Sequence, residues 1–348
     1  MINIGVIGCG KIAQVRHLPE YADNKNVKIA GVFDLCKERA EEIAERYGAK
    51  AYDSYQELLQ DETINAVSVC VANAAHCEVT VEALKAGKDV LCEKPMAVTL
   101  EECEKMVLTA RETGRYLMIG HNQRLVQTHV KAKELIDAGE IGEILTFKTN
   151  FGHKGPETWA IDSKNIWFFD KRYAAFGAMA DLGIHKTDLI QFLTGQKVES
   201  VMAYMGTRDK KDQQGNPVSV DDNAICIYQM SGGAVGTMCA SWTYYGDEDN
   251  STILYGTKGV MRIYDNPEYS LVVEKQDGTK VFYMLDQIQT NDAQTKSGII
   301  DLWVDCLVNR IPPEISGEEA LYAMKAIFAA KESSEKGIIV KCMGRNEE

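Results

Sequence analysis

Two short stretches of the sequence carry side chains that could move a proton. In the first, Glu93-Lys94-Pro95 follows a short apolar run that ends at Cys92. Proline fixes its own φ and restricts the preceding residue to extended geometry, so the backbone of Lys94 is well defined. A lysine at the carboxyl end of a buried strand lies where open α/β sheets place their ligands. The tripeptide alone leaves open that Lys94 is an ordinary surface lysine.

The second stretch places three ionisable side chains at helical spacing. Asp181, His185 and Asp188 stand at i, i+4 and i+7, so they share one face of a predicted helix, 181–193. A histidine beside a carboxylate can act as a general base near neutral pH. In the alternative interpretation Asp181 caps the helix and His185 is a satisfied core residue. The six histidines show no metal-ligand spacing, so no metal is predicted.

The N-terminus has the residue types of a phosphate-binding turn. A predicted strand, 2–7, runs into Gly8-Cys9-Gly10-Lys11-Ile12-Ala13, which fits G-x-G-x-x-A and precedes a predicted helix. Gly8 permits a tight turn, Gly10 lets a pyrophosphate approach the backbone, and Ala13 allows close packing of helix on strand. Free N–H groups at the helix start would bind the phosphates. These residues predict a dinucleotide site.

An acidic residue sets the expected nucleotide. Asp34 ends the next predicted strand, near the spacing of about 20 residues at which a carboxylate binds the ribose hydroxyls. Such a carboxylate repels a 2′-phosphate, so NAD is predicted and NADP is disfavoured. Lys37 and Arg39 are near enough in sequence to keep NADP open. The alternative for Asp34 is a helix N-cap.

The elements that must position these residues alternate between strand and helix. Further strands are predicted at 66–71, 89–92 and 116–119, separated by helices at 77–85 and 100–113. This order indicates a doubly wound parallel sheet, a Rossmann domain over residues 1–121. The polar residues that follow its strands are predicted to contact the cofactor; they are Asn73, His76, Glu93, Lys94 and Gln123.

Residues 122–348 show a different pattern of short strands joined by Gly, Asn and Asp turns. Strands are predicted from 144 onward to 274, with one strong helix inserted at 181–193. The pattern indicates a largely antiparallel sheet, so the fold class is α/β followed by α+β. Apolar residues on an open sheet face would favour a homo-oligomer.

Bulk composition excludes several classes of function. The chain has 348 residues and a formal net charge of −13, which argues against a general nucleic-acid or anionic-membrane binder. No apolar run reaches the roughly 18 residues of a membrane span, and the N-terminus has no basic leader. Ten cysteines without a C-x-x-C pair are typical of buried thiols in a reducing compartment. We expect a cytoplasmic protein.

In combination these motifs resemble the Gfo/Idh/MocA family, the group of glucose–fructose oxidoreductase and inositol dehydrogenase. The shared features keep the family's order over nearly the whole chain: the Gly-rich turn with Asp34, Asn73 and His76, Glu93-Lys94-Pro95, Arg124, Asp181-x-Gly183-x-His185 with Asp188, and GTKG at 256–259. The resemblance implies a Rossmann domain followed by an open-faced α+β domain for substrate binding, whose sheet builds a homodimer or homotetramer.

The resemblance also implies a reaction, with Lys94, Asp181 and His185 as the catalytic residues. His185 would take the proton from a substrate hydroxyl as hydride leaves that carbon for NAD, and Lys94 would hydrogen-bond the same oxygen. Asp181 would position substrate or lysine. The expected substrate is a sugar, inositol or related polyol. Two alternatives are a glycoside hydrolase that uses NAD transiently and a non-catalytic NAD-binding regulator, although a regulator needs none of these three side chains.

Substrate contacts are predicted for Arg124, Trp159 and Trp167, in addition to Asp181 and His185. The two tryptophans would form a wall of a sugar-sized site, with core packing as the alternative. The sequence departs from the family pattern where a glycine-rich run is reduced to residues 175–178, so Phe176 is expected to narrow the pocket. The role of His121 is open.

Overall fold

The chain folds into two units in the computed structural model, which describes residues 1–161, 167–286 and 296–342. The first unit contains Met1–Asn122 and the described parts of Trp159–Asn165 and Thr290–Leu321. The second contains the remaining described residues. The predicted domain boundary at residue 121 therefore lies near the end of the first unit's main segment, and two later segments also pack with that unit.

A six-stranded sheet organises the first unit, with the order β3-β2-β1-β4-β5-β6 and every pair parallel. The order reverses between β1 and β4, which is the point where Rossmann sheets bind their ligand. The predicted Rossmann fold is confirmed. The strands are β1 Ile2–Ile7, β2 Val27–Phe33, β3 Lys50–Ala51, β4 Ala66–Val69, β5 Asp89–Cys92 and β6 Leu117–Ile119.

Helices connect these strands. β4 and β5 are buried along their whole length, as expected for parallel strands covered on both faces. Two of the helices have side-chain caps, because Ser54 accepts from Glu57 N and Thr99 from Glu102 N. The helices are α1 Leu18–Asp23, α2 Lys37–Tyr47, α3 Tyr55–Gln60, α4 His76–Lys85, α5 Leu100–Thr113 and α9 Ile299–Asn309.

The second unit is built on a nine-stranded sheet of order β14-β13-β12-β11-β7-β10-β9-β8-β15. All neighbours are antiparallel except β7 and β10, so the predicted largely antiparallel sheet is confirmed. Its strands are β7 Ile144–Gly152, β8 Val198–Gly206, β9 Asn223–Met230, β10 Val235–Ser241, β11 Thr252–Gly256, β12 Gly259–Ile263, β13 Leu271–Lys275, β14 Lys280–Tyr283 and β15 Val340–Lys341.

One face of this sheet is covered and the other is open. In β9, Cys226 and Tyr228 are buried, whereas Ile225 and Ile227 are exposed. Helix α8, Ile184–Thr194, covers the buried face. Its Thr187 hydroxyl lies 2.9 Å from the Tyr228 hydroxyl. The helices assigned mainly to this unit are α6 Gln127–Asp137, α7 Lys171–Ala174, α8 Ile184–Thr194 and α10 Gly317–Lys336.

The helix after the Gly-rich turn and the helix that carries His185 both begin with a π-helical turn. These turns are Ala13–His17 before α1 and Met179–Gly183 before α8. Such turns are rare and occur often at functional sites. In the part of the chain that the structure describes, no helix is long and apolar enough to cross a membrane.

Gly8→Ala is expected to destabilise the first unit, whereas Gly10→Ala should not. Gly8 has φ +91°, and a Cβ there would lie 2.5 Å from the Cys70 carbonyl oxygen; strain of this kind costs about 1–3 kcal/mol. A Cβ on Gly10 would meet nothing within 4 Å. Thermal unfolding of both variants checks the difference, and equal melting temperatures for the two would contradict it.

Candidate functional sites

The Gly-rich turn is tied to the end of β2 by Asp34. Its carboxylate accepts from Cys9 N at 2.7 Å and from Cys36 N at 2.8 Å. Asp34 is not the N-cap of α2, since that position is Cys36. The open space at Gly10 and the carboxylate at the strand end fit a dinucleotide: the turn would bind the pyrophosphate and Asp34 the ribose. Arg39 lies 3.2 Å from Asp34, so one cation is present beside this carboxylate.

His76 joins two other loops at the carboxyl ends of the strands. One ring nitrogen lies 2.8 Å from the Pro95 carbonyl oxygen and the other 3.1 Å from that of Val71. The side chain is buried, and this burial lowers its pKa. His76, predicted to contact the cofactor, thus connects the end of β4 to the turn after Lys94. The neighbouring Asn73 begins a short 3₁₀ turn.

Glu93 is the centre of a buried polar network in the first unit. Its Oε1 lies 2.9 Å from His17 Nε2 and 3.6 Å from the Arg16 guanidinium. Burial would raise the pKa of Glu93, but the hydrogen bond from His17 and the charge of Arg16 outweigh it and lower the pKa to about 2. Beyond His17, Ser68 Oγ lies 3.1 Å from Nδ1 and 2.7 Å from the Tyr21 hydroxyl. Glu93 is therefore an ionised, fixed carboxylate.

Lys94 is held directly beside this network. Its N–H donates to Glu93 Oε2 at 3.2 Å, and the peptide bond to Pro95 is cis. The side chain is half-buried at the carboxyl end of β5. A Cβ on Gly120 would lie 3.1 Å from Glu93 Oε1, so the end of β6 approaches the same carboxylate closely. The strand ends and Glu93 together define the backbone position of Lys94.

In the second unit, Asp181 and His185 lie at the start of the buried helix. Asp181 accepts a hydrogen bond from the Trp242 indole N–H at 3.1 Å, and the His185 ring lies 6.0 Å from the ring of Phe151. Both ionisable side chains are 8% exposed. A small exposed fraction suits groups that must reach a substrate while keeping a fixed orientation. Trp242, on the segment after β10, was not predicted from the sequence.

Arg124 and Asp188 form a buried bidentate ion pair. The distances are 2.7 Å from Nε and 2.5 Å from the terminal nitrogen to the two carboxylate oxygens. The guanidinium also lies 5.5 Å from the centre of the Phe192 ring. The pair therefore anchors α8, and the substrate contact predicted for Arg124 stays a prediction. Among the described residues, no group of three or more His, Cys, Asp or Glu could hold a metal ion.

Two further groups near this helix titrate close to neutrality, and the sequence did not indicate them. Lys186 is fully buried and donates to the Asn250 carbonyl at 2.8 Å; burial lowers its pKa to about 7. Burial raises the pKa of Glu248 to about 7; the charge of Lys186 opposes this rise, and the charge of Asp181 adds to it. The electrostatics around Asp181 therefore include more than the three side chains of the predicted helix face.

The aromatic residues divide between the two units. Trp167 stacks on Phe168 with ring centres 3.9 Å apart, whereas Trp159 belongs to the first unit. Their contact with substrate stays a prediction. Phe176 is buried against Phe328 at 5.2 Å, so it packs in the core of the second unit. His121 is buried.

The predicted cofactor residues fall mainly in the first unit. These are Gly8, Gly10, Lys11, Ile12, Ala13, Asp34, Asn73, His76, Glu93 and Lys94. Gln123 belongs to the second unit. Its carbonyl accepts from His129 Nδ1 at 2.7 Å, and its side-chain oxygen is buried without a hydrogen-bond partner in the described structure. A buried acceptor of this kind is suited to a ligand donor.

The parallel sheet of Rossmann order, the open Gly-rich turn and Asp34 define a dinucleotide-binding protein. The family model of oxidoreductases with an NAD-binding Rossmann fold, GFO_IDH_MocA, matches residues 2–121. The model of the GFO/IDH/MocA C-terminal domain matches residues 129–262. The chain belongs to the Gfo/Idh/MocA family, and the predictions of an oxidoreductase with NAD as cofactor are confirmed.

Relatives of similar length are named as dehydrogenases. The chain is 28% identical to myo-inositol 2-dehydrogenase of Thermotoga maritima over 98% of each chain. It is 30% identical to D-glucoside 3-dehydrogenase of Escherichia coli, over 67% of this chain and 68% of the relative. Among solved structures, levoglucosan dehydrogenase in complex with NADH and levoglucosan has a TM-score of 0.85 and 24% identity over 98% of each chain. At that identity the likeness shows the fold alone.

Glu93→Gln is expected to destabilise the protein at neutral pH and to lose most of this effect in acid. The folded pKa of about 2 lies below the ordinary value of 4.5, so ionised Glu93 contributes stability above about pH 4.5, which is lost as the pH falls toward 2. The urea midpoints of unfolding of wild type and variant should differ at pH 7 and approach each other as the pH is lowered to 3. Glu104→Gln, at an exposed position of α5, is the control; a difference that is constant with pH would contradict the expectation.

Proposed function

We propose that the protein is an NAD-dependent dehydrogenase that transfers hydride between nicotinamide and a secondary hydroxyl or ketone of a sugar, inositol or related polyol. The observation that carries this proposal is the presence of a fixed lysine, Lys94, together with the Asp181 and His185 pair in a chain of this family. Relatives named for inositol and glucoside oxidation support the substrate class.

Three side chains have distinct roles in this reaction. His185 accepts the proton of the substrate hydroxyl, and Lys94 donates a hydrogen bond to the same oxygen as negative charge develops there. Asp181, oriented by Trp242, positions the substrate or the lysine. Bound NAD supplies the hydride acceptor. Asp34 favours NAD over NADP, because a 2′-phosphate would meet its carboxylate.

The two alternatives, a glycoside hydrolase and a non-catalytic regulator, are not favoured by relatives that are named as dehydrogenases, and an activity assay tests them directly. We expect NADH to form from at least one member of a panel of polyols and sugars, with NAD preferred to NADP. Lys94→Ala should lower kcat by about 10²–10⁴-fold, while Lys105→Ala, at an exposed position of α5, should not. NAD binding without NADH from any substrate would contradict the dehydrogenase, and aryl-glycoside cleavage would then distinguish the hydrolase from the regulator.

We also propose that the open face of the second sheet joins copies of this chain into a homodimer or homotetramer. Its exposed apolar residues are adjacent: Met202 lies opposite Ile227, and Tyr204 opposite Ile225, across β8 and β9. Contiguous apolar surface of this kind marks an interaction site, and a second copy would offer the same surface in a symmetric contact.

Ile225→Lys combined with Ile227→Glu is expected to dissociate this oligomer. The two side chains are 56% and 47% exposed on the open face, so charges there would be desolvated in an interface without disturbing the core. Sedimentation velocity of wild type and variant measures the mass. Leu108→Lys, which replaces an exposed leucine of α5 in the first unit, is the control. A monomeric wild type, or an unchanged oligomer in the double variant, would contradict the proposal.

We further propose a cytoplasmic location. All ten cysteine thiols are free, and most are buried, which is the usage expected in a reducing compartment.

A further inference from the structure

The segment that begins the catalytic helix takes its hydrogen-bond acceptors from a distant residue. The first N–H groups of a helix have no acceptor within it, and no side chain at Ala178 caps the π-helical turn Met179–Gly183. Asp221 accepts from Gly177 N through Oδ1 and from Met179 N through Oδ2, both at 2.8 Å. Its carbonyl accepts from Ala178 N, also at 2.8 Å. One residue thus binds three consecutive N–H groups.

Gly177 transmits this restraint to Asp181. The Gly177 carbonyl accepts from Asp181 N at 3.0 Å, so Gly177 is bonded to Asp221 through its N–H and to Asp181 through its carbonyl. The approach is close, because a Cβ on Gly177 would lie 1.9 Å from the Asp221 carbonyl oxygen. A displacement of the Asp221 carboxylate would therefore move the start of the turn that carries Asp181.

The adjacent residue restrains the Asp181 side chain by a second route. The Asp222 carboxylate accepts from the successive N–H groups of residues 208–210 at 2.7, 2.7 and 2.8 Å. The Asp222 carbonyl accepts from Trp242 N at 2.8 Å, and Trp242 donates its indole N–H to Asp181. The 221–222 segment is therefore connected to Asp181 through both main chain and side chain.

We propose that Asp221 is a positioning residue for Asp181 and His185, because its carboxylate fixes the turn from which the catalytic helix starts. The inference rests on the proposed dehydrogenase function of these two side chains. Both oxygens of Asp221 act as acceptors, so both contacts are at full strength only with the ionised carboxylate. A misplaced catalytic group costs rate even when binding is intact.

The same requirement makes the two hydrogen bonds from Gly177 N and Met179 N to the Asp221 carboxylate sensitive to pH. Burial, with a smaller contribution from the charge of Asp222, raises the pKa of Asp221 from 3.8 to about 7, against the two N–H groups that lower it. Among the described residues, the thiol of Cys226 is a further titratable group near Asp221. The carboxylate is thus ionised above about pH 7 and increasingly protonated below it, where one of its two N–H contacts is weakened.

Asp221→Asn tests the inference, since its amide group keeps one acceptor oxygen and loses the other. The matched control is Asp212→Asn, because Asp212 also accepts two N–H groups, from Gln214 at 2.9 Å and Asn216 at 2.8 Å, in an exposed loop. We expect kcat of wild type to exceed that of Asp221→Asn by about tenfold at pH 8.5, and this ratio to approach one at pH 6. The Michaelis constant for NAD should not change.

A ratio that stays constant with pH, or close to one throughout, would overturn the inference, since loss of folded protein alone gives no such pH dependence. Hydrogen exchange of the amides of residues 177–183 gives a readout that needs no substrate, with exchange about tenfold faster in Asp221→Asn. Unchanged exchange would contradict the positioning role of Asp221 even if the enzyme is active. A wild type that oxidises no polyol would overturn the proposed function. Hydrogen exchange would still show whether Asp221 fixes the turn at residues 177–183.

Discussion

The N–H groups that begin a turn or helix have no acceptor within that element, and carboxylates supply the acceptor at three turns that carry predicted site residues. Asp34 binds the N–H of Cys9 in the Gly-rich turn, Glu93 binds that of Lys94, and Asp221 binds those at the start of the catalytic helix. An unsatisfied buried N–H costs about 1–3 kcal/mol, so each carboxylate both stabilises its turn and defines the turn's position.

Two of these carboxylates are similarly buried but differ in pKa, and a neighbouring cation accounts for the difference. Glu93 and Asp221 are both buried, but His17 and Arg16 lower the pKa of Glu93 to about 2, whereas Asp221 has only N–H groups and its pKa is raised to about 7. Desolvation disfavours charge in both cases, and at Glu93 the positive charge of Arg16 helps to offset it. Glu93 therefore stays ionised around neutral pH, whereas the protonation of Asp221 changes there.

The sequence was sufficient for the fold, because the fold follows local patterns; the site residues chosen from it stay predictions. Buried parallel strands are apolar runs, and the bounds of α5 match its predicted range. The partners of the site residues were missed because they are distant in sequence: Trp242 lies 61 positions from Asp181, and His17 lies 76 from Glu93. The available signal was Ser68, a polar residue within a buried strand, which must find a hydrogen-bond partner. The parallel pair of β7 and β10 had no local signal.

Lys94 and Asp181, two of the predicted site residues, each hydrogen-bond a partner that is more deeply buried than themselves. Lys94 is half-buried and Glu93 buried; Asp181 is 8% exposed and Trp242 fully buried. This order matters because desolvating a reactive group costs energy and changes its pKa, whereas a partner inside the core can be fixed by packing. The more exposed groups thus keep access to ligand, while their more deeply buried partners can hold them in a fixed orientation. Trp242, His17 and Asp221 therefore hold predicted site residues or their turns in place, although none has the residue spacing of a motif.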